Sequence, residues 1–222
     1  MSEDDVRTRA RAIAQKRFAA GEPLAWFEDL YAQADGDAAT IPWADLAPNP
    51  NLVAWLDAHG VTGNGKRALV VGCGLGDDAE ELARRGFATT AFDISPSAIA
   101  WCGKRFAGSA VTYLNADLLN PPTEWAGAFD FVFEAYTLQS LPADLRRVAI
   151  GKIASFVSHG GRLLIVARGR DEDEPEGTLP WPLTRAELGQ SAREGLVEES
   201  FEDYVEERDP PTRRFRIVFK RS

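Results

Sequence analysis

The apolar positions change period twice along the chain. From residue 3 to about 59 there is no strand alternation, and Trp26, Phe27, Leu30, Tyr31 and Ala34 recur on one helical face, which predicts a helical N-terminal segment. A turn cluster, Gly60 to Lys66, leads into the apolar run Ala68 to Val71, a buried strand that meets Gly72-Cys73-Gly74-Leu75-Gly76. Helices and strands then alternate. A helix with Ala79, Leu82 and Ala83 inward ends near Gly86, and a strand from Ala88 to Phe92 ends at Asp93. A helix opened by Pro96 runs to about Phe106. Val111 to Leu114 and Phe129 to Phe133 are the third and fourth strands. The helix after Pro142 turns Leu145, Val148, Ala149, Ile153, Phe156 and Val157 inward and stops at Gly160-Gly161, before a strand from Arg162 to Ala167. Residues 169–177 form a charged loop, Thr184 to Ser191 one helix, and Val197 to Val205 with Phe215 to Phe219 a hairpin.

This alternation predicts an α/β fold: a Rossmann-like, doubly wound, mostly parallel seven-stranded sheet with a C-terminal antiparallel hairpin and an N-terminal helical cap. The 222 residues suit a single domain, with residues 1–60 as the cap and 61–222 as the core. At 45% hydrophobic and 27% charged residues the composition is that of a packed globular chain, which excludes disorder. A net charge of −9 gives no reason to approach a polyanion, so nucleic acid is not an expected partner. Cys73 and Cys102 cannot build a disulfide framework, and with His59 and His159 beside them no metal site is expected. Met1 to Ala20 has no apolar leader-like core, and runs such as Leu163 to Ala167 are too short to cross a membrane. The expectation is a cytoplasmic protein, monomeric or weakly dimeric, acting on a small molecule away from membranes.

The first strand-to-helix turn of such a sheet is where backbone approaches a ligand. Gly72, Gly74 and Gly76 stand there, followed by a helix whose unpaired N–H groups favour an anion. Tight turns use the same residues, but Asp93, seventeen positions after Gly76 at the end of the next strand, strengthens the ligand reading. Its carboxylate can accept from two ribose hydroxyls; the alternative is an Asx turn or helix cap before Pro96. The spacing is Gly-x-Gly-x-Gly, not the dinucleotide Gly-x-Gly-x-x-Gly, so an amino-acid carboxylate suits it better than a pyrophosphate. Asp117 follows the third strand, where it can accept from an adenine amine or close a turn before Pro121-Pro122. Together these three sites fit S-adenosylmethionine better than NAD.

These residues resemble the class I S-adenosylmethionine-dependent methyltransferases, and within them the thiopurine S-methyltransferase-like group. The resemblance spans about 20 to 222. It is carried by Ile41-Pro-Trp-Ala-Asp-Leu-Ala-Pro-Asn-Pro50, Ala68-Leu-Val-Val-Gly-Cys-Gly-Leu-Gly-Asp-Asp78, Ala91-Phe-Asp-Ile-Ser-Pro96, Phe129-Asp-Phe-Val-Phe-Glu-Ala-Tyr136 and Pro180-Trp-Pro-Leu-Thr-Arg-Ala-Glu-Leu188. It implies that Gly72, Cys73, Gly74 and Gly76 cradle the methionine part of the donor, Asp93 and Ile94 hold ribose and adenine, and Asp117 with Leu118 meet the adenine edge. Glu134 and Tyr136 would line the methyl-donor pocket, closed by Trp43, and S-adenosylhomocysteine would be the product. Two departures stand out: Val70 replaces the acid common two positions before the first glycine, and the Asn/Asp-Pro-Pro-Tyr of base amino-methyltransferases is absent after the fourth strand.

Methyl transfer from a sulfonium is an in-line displacement, so proximity supplies much of the catalysis, and a soft thiol needs no dedicated base. No base stands out. His59 and His159 each precede a glycine, as helix C-terminal residues do, and Cys73 between glycines is a packing choice. Trp26 and Trp55 lie on amphipathic helices and are expected in the core, while Trp43 and Trp181 lie in loops. Trp26, Trp43, Arg168 and Trp181 are the candidates for the acceptor side, with Arg168 either orienting an acceptor or pairing with the acidic run after it. Residues 170–209 hold fourteen acids against four bases, so the acidity is local. It is read either as a solvated face or as a rim suited to a cationic donor and a neutral or cationic acceptor. An NAD(P)-dependent oxidoreductase and a non-catalytic S-adenosylmethionine-binding protein are the alternatives.

Overall fold

The computed structural model describes residues 3–207 and 210–222. Met1, Ser2, Arg208 and Asp209, which belong to the N-terminal and acidic segments considered above, lie outside the described residues. The N-terminal region consists of α1 (Glu3–Ala19), α2 (Ala25–Ala34) and α3 (Pro50–Ala58). Pro50 and the Asn49 cap, whose Oδ1 accepts the Asn51 N–H at 2.9 Å, start α3. There follow β1 (Arg67–Val71), α4 (Asp77–Arg84), β2 (Ala88–Asp93), α5 (Pro96–Arg105), β3 (Thr112–Asn115), β4 (Phe129–Ala135), α6 (Ala143–Phe156) and β5 (Val157–Arg168). The chain closes with α7 (Arg185–Leu188), β6 (Leu196–Glu206) and β7 (Thr212–Arg221).

The seven strands form one sheet in the order β3-β2-β1-β4-β5-β7-β6. β1 to β5 are parallel, and β7 lies antiparallel between β5 and β6. The chain winds outward from β1 in one direction and from β4 in the other, which opens a crevice beyond their carboxyl ends. Strand alternation sorts the core: Ala68 and Val70 pack with Leu52 and Trp55 of α3 and Leu82 of α4, while Leu69 and Val71 pack with Ile150, Ile153 and Phe156 of α6. A third cluster joins Ala10 and Ala14 of α1 to Trp26, Leu30 and Tyr31 of α2 and to Leu75, Ala98 and Leu179. α1 and α2 thereby lie over the crevice. No helix of the described residues is long and apolar enough to cross a membrane.

Three local expectations differ from the structure. α6 ends at Phe156, and Val157 already belongs to β5, so His159 is an exposed strand residue and not a helix C-terminus. Gly160, at φ +75°, bends this first part of β5 beside the irregular pairing between Phe129 and Phe131, a strand irregularity that reads in sequence like a helix stop. Val148 is 49% exposed on the outer face of α6. The stretch from Thr184 to Ser191 is a one-turn helix with a Thr184–Glu187 capping box, continued from Gly189 to Glu194 as a 3-10 turn. By contrast His59 caps α3, with its ring Nδ1 2.8 Å from the Trp55 carbonyl.

The acidic segment is largely neutralised by arginines. Arg213 meets Asp171 and Asp203, Arg216 meets Glu202, Arg162 meets Glu199, Arg185 meets Glu198, and Arg146 meets Glu187. Much of the negative charge counted over 170–209 is therefore held in ion pairs, while Glu206 and Glu207 line the cavity described below.

Candidate functional site

The turn after β1 requires its glycines. Gly72, Gly74 and Gly76 have φ of +58°, +53° and +91°. A Cβ on Gly72 would come within 2.2 Å of Thr137 Oγ1, and one on Gly76 within 2.6 Å of the Tyr113 hydroxyl. The Cys73 N–H donates to the Phe92 carbonyl at 2.9 Å and the Gly74 N–H to Asp93 Oδ2 at 3.0 Å, which locks the turn to the end of β2. Asp93 Oδ1 accepts the Ser95 N–H at 2.9 Å. Asp93 therefore makes the Asx turn before α5 and also anchors the glycine loop. It is 6% exposed, and burial pushes its carboxyl up to about 6 against these N–H groups.

A cavity of about 950 Å³ opens over this turn, at the upper end of the size range for ligand sites. Gly72, Cys73, Gly74, Asp93, Ile94, Asp117, Leu118, Tyr136, Trp26, Trp43 and Arg168 all line it. Asp117 also closes a turn, its Oδ1 accepting the Leu119 N–H at 2.8 Å. Trp26 is core and wall at once, 1% exposed. Trp43 reaches over from the loop after α2 and donates its indole N–H to Tyr31 Oη at 2.7 Å, and that oxygen sits 3.0 Å from where a Gly74 Cβ would be. The Cys73 thiol is pushed up by contact with the Cys102 thiol and by burial, and Cys102 donates to the Gly74 carbonyl at 3.2 Å. The Cys73 thiol is thus held in its protonated, packing form.

Three expected site residues stand apart from the lining. Gly76 caps α4 and packs against Tyr113. Trp181 stacks on Phe18, ring centroids 5.9 Å apart, with its face toward the Arg146 guanidinium. Glu134 is fully buried beneath the floor, where its Oε1 accepts the Thr137 and Leu138 N–H groups at 2.7 and 3.0 Å. Its Oε2 has no hydrogen-bond partner among the described residues, and burial pushes the carboxyl up to about 7. Glu134 shapes the turn that begins at Tyr136, which holds φ +68° despite its side chain.

Sequence reasoning missed a polar wall built from distant segments. The Arg214 guanidinium lies 4.6 Å over the Tyr136 ring and donates to Glu206 at 2.9 Å. The Asn51 amide donates to Glu206 at 3.2 Å and accepts from the Tyr204 hydroxyl. Asp78 was also missed: its Oδ1 accepts the Asn49 N–H at 2.6 Å, and burial, with Asp77 and Asp45 nearby, pushes its carboxyl up to about 7. Asp77, Asp78 and Glu80 occupy the first turn of α4, so this helix start already carries negative charge and is not the anion site expected from its position. The periodicity marked α4 as a helix but gave no sign that Asp78 faces a cavity.

Residues 68–161 match the family described as Methyltransferase domain. The ubiquinone biosynthesis O-methyltransferase of Azotobacter vinelandii is 36% identical over 96 residues, 42% of this chain and 41% of that protein. An uncharacterized methyltransferase of Mycobacterium tuberculosis is 34% identical over 125 residues, 56% of this chain and 60% of that one. The chain thus spans about half the length of these curated relatives. Among solved structures, the 1,6-didemethyltoxoflavin-N1-methyltransferase of Burkholderia thailandensis, bound to 1,6-didemethyltoxoflavin and S-adenosylhomocysteine, shares the fold. Its TM-score is 0.65 at 16% identity over 95% of this chain and 88% of its own. The matched segment holds the glycine turn, Asp93 and the switch point of the sheet, so this part of the chain is similar to a methyltransferase domain, and the chain shares the fold of solved methyltransferases.

Proposed function

We propose that the chain moves a methyl group from S-adenosylmethionine to a small-molecule acceptor, a thiol or other soft nucleophile, in the manner of the thiopurine S-methyltransferase-like group. The observation that carries this reading is the pairing of the Gly72–Gly74 backbone with the buried Asp93 carboxylate at the mouth of one large cavity. The residues present fit the donor. The left-handed turn exposes backbone where the methionine part would lie, and each Asp93 oxygen, holding one N–H, keeps a lone pair for a ribose hydroxyl. Ile94 and Leu118 offer apolar faces to the adenine, with Asp117 at its edge.

When bound, the sulfonium supplies an electrophilic methyl. The chain's part is to exclude water with Trp43, Trp26 and Tyr31, and to hold the acceptor's nucleophilic atom in line beside Tyr136. A thiol acceptor is partly ionised near neutrality and needs no base. Asp78 favours a second reading: a carboxyl pushed to about 7 on the cavity wall is matched to taking a proton from a hydroxyl acceptor.

The test is to incubate the protein with S-adenosylmethionine carrying a labelled methyl group and panels of thiols, halides, phenols and amines. Label transfer to thiols with an Asp78→Asn variant still active supports the first reading. Transfer confined to hydroxyl acceptors and lost in Asp78→Asn supports the second. Tight S-adenosylhomocysteine binding with no transfer to any class leaves a binding protein.

A further inference from the structure

The carboxylates around the glycine turn differ in how far they are already engaged. Asp77 pairs with Arg105, and Glu81 pairs with Arg84 and Arg85, each at 2.7 Å. Asp93 holds the Gly74 and Ser95 N–H groups, and Glu134 lies beneath the floor. β1 brings no acid to the turn, because Val70 packs among Leu52, Trp55 and Leu82. Asp78 remains. It stands on the first turn of α4, two residues after Gly76, and lines the cavity together with Gly72, Cys73 and Gly74.

Asp78 Oδ1 accepts the Asn49 N–H at 2.6 Å, which fixes the carboxylate between α4 and the start of α3. Its Oδ2 holds no hydrogen bond and no cation pairs with it among the described residues. Burial, with Asp77, Asp45 and Glu81 nearby, pushes this carboxyl up to about 7, a cost that a ligand's cation would relieve. The dipole of α4 contributes roughly half a positive charge at its start, and one ionised carboxylate already outweighs that. This corner of the cavity therefore repels a carboxylate and favours an ammonium.

We propose that Asp78 Oδ2 receives the α-ammonium of S-adenosylmethionine, and so selects a donor that carries an amino acid. This rests on the methyltransferase reading above. It turns the amino-acid end round from the expectation that a carboxylate meets the start of α4. A carboxylate occupied by the donor's cation is not free to take a proton from the acceptor, which favours the thiol reading over the hydroxyl one.

The experiment is calorimetry on the full chain with three ligands: S-adenosylhomocysteine, its deamino analogue, in which hydrogen replaces the amino group, and methylthioadenosine, which lacks the whole amino acid. Wild type is expected to bind S-adenosylhomocysteine at least tenfold more tightly than the deamino analogue. Asp78→Asn keeps the Oδ1 acceptor for Asn49 and removes the charge. It should weaken S-adenosylhomocysteine about tenfold or more, the scale of one charge-assisted hydrogen bond, and close most of the gap to the deamino analogue. Methylthioadenosine affinity should stay within twofold. Equal weakening of S-adenosylhomocysteine and methylthioadenosine overturns the proposal and leaves Asp78 as an anchor for Asn49. Unchanged S-adenosylhomocysteine affinity in the variant overturns it too. So does a wild type that does not prefer S-adenosylhomocysteine to its deamino analogue, a result that requires no variant to fold. Failure of the wild type to bind either S-adenosylhomocysteine or methylthioadenosine is a separate result and overturns the underlying function.

Discussion

Glu134→Gln tests whether the carboxyl at the end of β4 is a structural group beneath the cavity. The side chain is fully buried, Oε1 holds the Thr137 and Leu138 N–H groups, and no cation pairs with it among the described residues. Its folded-state value of about 7 lies above the ordinary 4.5, so the stability it contributes is complete below pH 4.5 and is lost as pH rises through 7. At 1.36 kcal/mol per pH unit, wild type loses about 2 kcal/mol from this group between pH 5.5 and 8.5. Glutamine keeps the Oε1 acceptor and cannot ionise. Any constant cost of its amide NH₂ at the unpartnered Oε2 position cancels when the two pH values are compared. Urea unfolding followed by tryptophan fluorescence at both values should show the variant gaining about 2 kcal/mol on wild type at the higher pH. Asp78 and Asp93 titrate alike in both proteins. If the two stability–pH curves run parallel, Glu134 does not ionise in this range, and its placement under the floor is wrong.

Other outcomes follow from the same geometry. Asp93→Ala should weaken S-adenosylhomocysteine binding by on the order of 1–3 kcal/mol in calorimetry, and wild-type affinity should fall as pH drops below about 6, where the carboxyl gains a proton; flat affinity in both tests removes Asp93 from the ribose site. Gly72→Ala forces a Cβ onto Thr137 Oγ1 at φ +58° and should cost about 2–3 kcal/mol in urea unfolding, partly recovered by adding Thr137→Ala. No recovery would mean the clash lies elsewhere. Tyr31→Phe leaves the Trp43 indole N–H without its acceptor and should cost about 1 kcal/mol, with a shift in Trp43 emission; an unchanged spectrum would place Trp43 away from Tyr31.

The sheet and its glycine turn were legible because their signals are local. An apolar tetrad, three glycines at alternate positions and an acid ending the next strand lie within 26 residues, and the backbone needs those residue types there. Trp43 and Arg168 line the cavity from a loop and a strand end beyond the carboxyl edge of the sheet, and Trp26 from α2, whereas Trp181, also in a loop, stacks on Phe18 instead. The polar wall was not legible. Asn51 meets Tyr204 and Glu206 across more than 150 residues, and nothing near any of them marks the partner. Glu134 misled in another way: a carboxylate at the end of a central strand reads as a ligand group, yet its turn needed an N–H acceptor below the floor. His159 misled because a Gly-Gly pair stops a helix and bends a strand equally well.

The central claim is that the Gly72–Gly74 turn and Asp93 hold S-adenosylmethionine. Calorimetric titration of the full chain with S-adenosylhomocysteine and with NADH tests it directly. Nanomolar to micromolar binding of S-adenosylhomocysteine, weakened by Asp93→Ala, with no saturable binding of NADH, is the expected result; tight NADH binding with none of S-adenosylhomocysteine would remove the donor from this turn.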